Sequence, residues 1–69
     1  MKKGFFDVHV NHGGGVGFSV FITGTVVNNW EKQDIIGIAI DQGKIEPDDD
    51  KYVDNVTEIT EEEYNKAIK

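Results

Sequence analysis

The chain has 69 residues and a mass of 7.7 kDa, with 13 acidic residues, seven lysines, no arginine and a formal net charge of −6. Its 38% hydrophobic and 10% aromatic content excludes a disordered tail, and the absence of cysteine excludes disulfides and thiolate zinc sites. No apolar run approaches the roughly 20 residues of a membrane-spanning helix, and the start Met1-Lys2-Lys3-Gly4-Phe5-Phe6-Asp7 is unlike a secretion signal. The expectation is one cytoplasmic domain, with a core thin enough for self-association to help it.

Phe5 to Val10 alternates, with Phe6, Val8 and Val10 on one face and Phe5, Asp7 and His9 on the other, the period of a half-buried strand. Asn11-His12-Gly13-Gly14-Gly15 breaks it, and a second strand runs from Val16 to Val27, so the two form an antiparallel hairpin. In the second strand Phe18, Val20 and Ile22 share a face, and Gly24 marks a bulge or a close backbone contact. Asn28 as N-cap with Glu31 three residues on predicts a helix over Trp30–Gln42, lined by Ile35, Ile36, Ala39 and Ile40. Gly43 suits the left-handed C′ position and Ile45 the apolar contact that follows it. The rival reading is a buried strand over Ile35–Ile40, since isoleucine favours strands and Gly37 weakens a helix; the two end signals favour the helix.

Lys44 to Lys51, with Pro47 and three consecutive aspartates, reads as an exposed loop. Tyr52–Ile59 reads as a third strand. Thr60 and Glu63 form a capping box, with Ile59 and Tyr64 as a hydrophobic staple, for a terminal helix that buries Tyr64, Ala67 and Ile68. The order β-β-α-β-α defines an α+β fold, a small antiparallel sheet with one helix across a face.

Charge is the most informative feature. Residues 1–30 have a net charge of +1 and residues 31–69 of −7, while Asp41–Glu63 alone sets ten acids against Lys44 and Lys51. Such a field attracts basic surfaces and repels nucleic acid and anionic membranes. Spaced carboxylates on a small rigid domain also imitate a phosphate backbone; the alternative is a solvated face that keeps the domain soluble. The candidate partner-binding residues are Asp41, Glu46, Asp48, Asp49, Asp50, Asp54, Glu58, Glu61, Glu62 and Glu63, with Phe21 and Trp30 as apolar anchors.

Other chemistry finds little support. His9 and His12, three apart on a strand, point to opposite faces. Ser19, the one serine, falls in a strand pattern as a buried residue, so no nucleophile meets a base and no enzyme is expected. The glycine run opens a strand and lacks the Gly-Lys-Ser/Thr of a phosphate loop, leaving a hairpin turn or a loop that admits a nucleotide closely. Asp48, Asp50 and Asp54 fail the calcium-loop pattern, with Val53 where glycine belongs and Ile59 where glutamate belongs. No cofactor or metal is expected. Phe21 leaves the second strand apolar on both faces, which makes a homodimer a further expectation.

The hairpin, the helix ending Ala39-Ile40-Asp41-Gln42-Gly43, the Asp-rich loop and Tyr52–Ile59 together resemble DpnD/PcfM-like small domains of phages and mobile elements of Gram-positive bacteria. The resemblance covers most of the chain; the triple glycine and the acidic terminal helix depart from it. It implies a phage-encoded host-takeover inhibitor. The expected partner is a basic DNA-binding host protein: an HU-type nucleoid protein, RNA polymerase or a defence nuclease. Its DNA site would be blocked, as by a DNA mimic, without direct nucleic-acid or membrane binding. The alternatives are a binder of a nucleotide signal through the glycine loop and a structural accessory module.

Overall fold

In the central strand, alternation sends every second side chain into one core, and the rest of the chain wraps around that choice. A computed structural model describes residues Met1–Lys69. The elements are β1 (Lys2–Gly13), β2 (Val16–Val26), α1 (Lys32–Asp41), a 3₁₀ helix (Pro47–Tyr52), β3 (Val53–Ile59) and α2 (Glu61–Ala67). The three strands form an antiparallel sheet in the order β2-β1-β3, so β2 and β3 are its two edges.

Phe6, Val8 and Val10 are fully buried and pair with Ile22, Val20 and Phe18 of β2. α1 crosses this face. Its Ile35, Ile36 and Ala39 close the core together with Val26, Ile45 and Val53. The helix starts near β3, where Lys32 Nζ donates to the Val53 carbonyl at 3.3 Å, and ends over β2, where Gln42 Nε2 donates to the Thr23 carbonyl at 2.7 Å. Gly24 lies under it: a Cβ there would stand 3.3 Å from Ile38 Cγ2, so the glycine marks a close contact and no bulge.

Several boundaries differ from the sequence expectation. α1 is a helix, not a strand, but it starts at Lys32 and its N-cap is Glu31, not Asn28. The Glu31 amide donates to the Asp34 carboxylate at 2.9 Å. Trp30 stays outside the helix because its ring packs edge-on against Phe6, with centroids 5.2 Å apart. At the other end Gly43 takes the left-handed conformation (φ 72°), and Lys44, not Ile45, closes the C″ bond to the Ala39 carbonyl at 2.9 Å. Ile45 follows as a buried residue.

The segment expected to be a loop contains the 3₁₀ helix. Pro47 stands in its first turn, and the Glu46 amide donates to the Asp49 carboxylate at 3.0 Å. α2 begins as expected, with Thr60 and Glu63 exchanging backbone-to-side-chain bonds of 3.1 Å. α2 buries less than the sequence predicts. Only Tyr64 is half-buried, against Phe5 at 5.2 Å, while Ala67 is exposed and Ile68 is 56% exposed, because a helix of seven residues reaches the sheet through one side chain. No helix is long and apolar enough to cross a membrane.

An acidic sheet edge as the candidate functional site

Nine of the ten predicted acids lie on the unbroken stretch 46–63, which holds the 3₁₀ helix, β3 and the first turn of α2; with Lys51 the stretch carries −8. Asp54 and Glu58 stand on the edge strand β3 itself, while the 3₁₀ helix before it sets Asp49 beside His12 of β1 and α2 after it packs back against β1 and β2. β2, the opposite edge, has no charged residue in its 11 positions. Asp41 stands apart, at the C-terminal end of α1 beside Gln42 and thus toward β2.

The nine carboxylates divide into those that hold the fold and those that are free. Glu46 is the N-cap of the 3₁₀ helix, Asp49 accepts from its amide and meets His12 Nε2 at 3.2 Å, Asp54 meets His9 Nδ1 at 2.7 Å, and Glu58 receives Lys2 Nζ at 2.9 Å and Trp30 Nε1 at 3.3 Å. Glu63 caps α2, and Glu62 makes an exposed ion pair with Lys66 at 3.6 Å. Asp48, Asp50 and Glu61 make neither a side-chain hydrogen bond nor an ion pair, and all three are exposed. The hydrogen bond from His9 holds the Asp54 carboxyl below the usual carboxylate range, and that from Lys2, with a smaller contribution from Trp30, does the same for Glu58.

The acids do not share one face. Glu58 pairs with Phe6 and so lies on the α1 side. Asp54 reaches His9 on the α2 side, because the register slips by one residue between His9↔Asn55 and Val10↔Val53 and leaves Asp54 as the extra residue of a β-bulge. β3 spans about 23 Å at roughly 3.3 Å per residue. Duplex DNA would carry about 14 charges over that length. The acidic stretch extends past β3 at both ends with a net charge of −8, so its linear charge density is about half that of DNA or less. It can match a basic surface in overall field but not phosphate for phosphate.

Of the two proposed anchors, the half-buried Trp30 stands beside Glu58 at this edge. Phe21 lies on β2, paired with Asp7, on the α2 side and two strands away. The two histidines point to opposite faces, each held by an acid of the 46–63 stretch; His12 also stacks between Tyr52 (4.4 Å) and Phe18 (6.0 Å).

Ser19 is exposed, not buried, because its side chain falls on the sheet face that α1 leaves open. It pairs with His9, so Ser19, His9 and Asp54 stand in line across β2, β1 and β3. Sequence reading missed this alignment, since strand register is what creates it. No hydrogen bond joins Ser19 to His9, and no pocket opens beside them to seat a substrate. The glycine run is a tight turn: Gly13, Gly14 and Gly15 all have positive φ, which explains their identity without a ligand. No group of three or more His, Asp or Glu side chains is arranged to hold a metal ion. One polar oddity escaped sequence reading: Asp7 Oδ1, on the central strand between Phe21 and Thr57, is buried with no hydrogen-bond partner.

Comparison with protein-family models, with curated proteins and with solved structures gives no match for the chain. The fold is of the α+β class: a three-stranded antiparallel sheet with one helix across a face and a short helix at the end. The likeness to DpnD/PcfM-like domains remains one of sequence pattern.

Proposed function

We propose that this chain is a non-catalytic acidic binding protein that docks its β3 edge on the basic, nucleic-acid-binding surface of a partner protein and blocks it. The observation that carries this reading is the segregation of charge: −8 along the stretch that includes one edge strand and the short helices on either side of it, and no charged residue on the strand that forms the other edge. A field concentrated on one edge orients an approaching basic protein and speeds its capture, with affinity that falls as salt rises. The setting that the sequence resemblance implies is a phage-encoded inhibitor acting on a bacterial HU-type nucleoid protein, RNA polymerase or defence nuclease. At about half the charge density of a duplex, the imitation of DNA is one of overall field. Trp30, beside Glu58, supplies the apolar contact at that edge.

The test is competition. A basic HU-type protein bound to a labelled duplex is titrated with this protein at low and high salt, and fluorescence anisotropy follows release of the DNA. Displacement at low salt that weakens steeply with added salt is expected. A variant with Asp48→Asn, Asp50→Asn, Glu61→Gln and Glu62→Gln keeps every fold-holding acid and should compete at least about tenfold less well. If neither the HU-type protein nor RNA polymerase or a nuclease in the same format is displaced from DNA at any salt, the reading is wrong. Equal competition by the four-site variant would overturn the assignment of the edge.

A further inference from the structure

We propose that β2 is a self-pairing edge: two copies of this chain join antiparallel along β2, with the two-fold axis at Ser19, to make one six-stranded sheet. The inference is independent of the partner-docking reading above, because it concerns the opposite edge.

Edge strands are normally protected from pairing by charge, proline, bulges or brevity. β3 has such protection, being seven residues long with Asp54, Glu58 and a bulge. β2 has none of it. It is 11 residues long, regular, and without a charge or proline; Val16–Ile22 is an apolar β-forming window of zero net charge.

Two hydrogen bonds fix which of its backbone groups face outward. Thr23 Oγ1 donates to the Gly4 carbonyl at 2.9 Å, so that carbonyl is turned toward β2 and Gly4↔Gly24 is the hydrogen-bonded pair of the ladder. The neighbouring Thr23 therefore turns its backbone away from β1, and Gln42 Nε2 takes up its carbonyl at 2.7 Å. By alternation the N–H and C=O groups of Gly17, Ser19 and Phe21 share that outward direction. Gln42 caps the Thr23 end of the edge and leaves these three residues open.

A two-fold at Ser19 sets Phe18 against the second copy's Val20, Val16 against its Ile22, and Gly17 against its Phe21. The α1 side of the junction is then wholly apolar. It covers Phe18 and Val16, which are 40% and 61% exposed in the single chain. On the other side each Phe21 ring falls opposite a glycine that leaves room for it. The occupant is a second copy because this strand is its own complement in that register. A molecule of net charge −6 also has no other sheet edge on which two copies meet without opposing carboxylates. Asp7, paired with Phe21, stands one strand in from the edge, and Asp41 neighbours Gln42 at the Thr23 end, where the two-fold sends the two Asp41 side chains to opposite ends of the junction. The resulting order β3-β1-β2-β2-β1-β3 puts an acidic edge on each flank, about 24 Å apart at roughly 4.8 Å per strand.

Light scattering on a sizing column tests this with the full chain. The expected mass is twice 7.7 kDa. Ser19→Lys should return it to the monomer value, because two lysines then oppose each other at the axis. The substitution reduces the net negative charge from −6 to −5, so a general charge effect would favour association, and loss of the dimer points to the edge. Hydrogen exchange of the unaltered protein gives an independent readout. The amides of Gly17, Ser19 and Phe21 should be protected at high protein concentration and exchange on dilution. A monomer mass at the highest attainable concentration overturns the proposal. So does a dimer that survives Ser19→Lys, or protection of those three amides that does not change with concentration.

Discussion

His9 Nδ1 and Asp54 Oδ1 lie 2.7 Å apart across the β1–β3 pair, and the contact exists because Asp54 is the extra residue of a bulge. Without the slip, regular alternation would turn Asp54 away from the face that His9 occupies. Asn11 Nδ2 reaches the other carboxylate oxygen at 3.5 Å, so two β1 side chains converge on one acid of β3. Together with Lys2–Glu58 and His12–Asp49, the arrangement ties the acidic edge to the central strand by three of its nine carboxylates.

A pH dependence follows. Asp54 and Glu58 titrate below the usual carboxylate range when folded, so the folded chain binds fewer protons than the unfolded chain through the acid range. The stability from both contacts is complete above the unfolded carboxylate pKa of about 4 and drains away as the pH falls through the lower folded values. Thermal melts between pH 7 and pH 3 should show the wild type losing Tm more steeply than Asp54→Asn, with the two curves converging at the acid end. Parallel curves would mean that the pair contributes nothing.

Two glycines should respond in opposite directions to alanine. Gly37 lies exposed in the middle of α1, and a Cβ there meets nothing within 4 Å, so Gly37→Ala should stabilise by about 1 kcal/mol through helix propensity alone. Gly4 is buried under the Phe6 ring, with a Cβ placed 2.6 Å from Cζ and 2.7 Å from Cε2. Since Phe6 is held in the core and against Trp30, Gly4→Ala should destabilise by about 1–3 kcal/mol. Urea unfolding of both variants beside the wild type measures the difference.

The legibility of the fold varied with how local its cause is. The inward set Phe6, Val8 and Val10, the hairpin and the Thr60–Glu63 cap all rest on neighbours a few residues apart and could be read directly. The start of α1 was misjudged because Asn28 to Glu31 and Glu31 to Asp34 both fit a capping box. The choice was made by Trp30 packing on Phe6, a contact 24 positions away in sequence. The 3₁₀ helix was hidden by its aspartates, although Pro47 and the spacing of Glu46 and Asp49 were the available signal. Of the site, the acids themselves were legible, but not which were free. The pairing of Asp54 with His9 depends on a bulge, and the alignment with Ser19 on the register of three strands, neither of which has a local mark.

The last prediction concerns Asp7. Its Oδ1 is buried without a partner on the central strand, flanked across the sheet by Phe21 and Thr57, while Phe5 and His9 precede and follow it on the same face. A carboxylate oxygen that has left water and gained no donor is destabilising, and removing the group altogether relieves that penalty where removing only a partner would create one. Valine suits the site, because a branched side chain packs well between a phenylalanine and a threonine on a pleated surface. Asp7→Val should therefore raise stability by about 1–3 kcal/mol, or several degrees in Tm for a domain of this size. Asp7→Asn, which keeps a buried polar head, should gain less. Paired thermal and urea melts decide the matter. A loss of stability in Asp7→Val with the sheet intact by circular dichroism would mean that the carboxylate has a stabilising role in this fold.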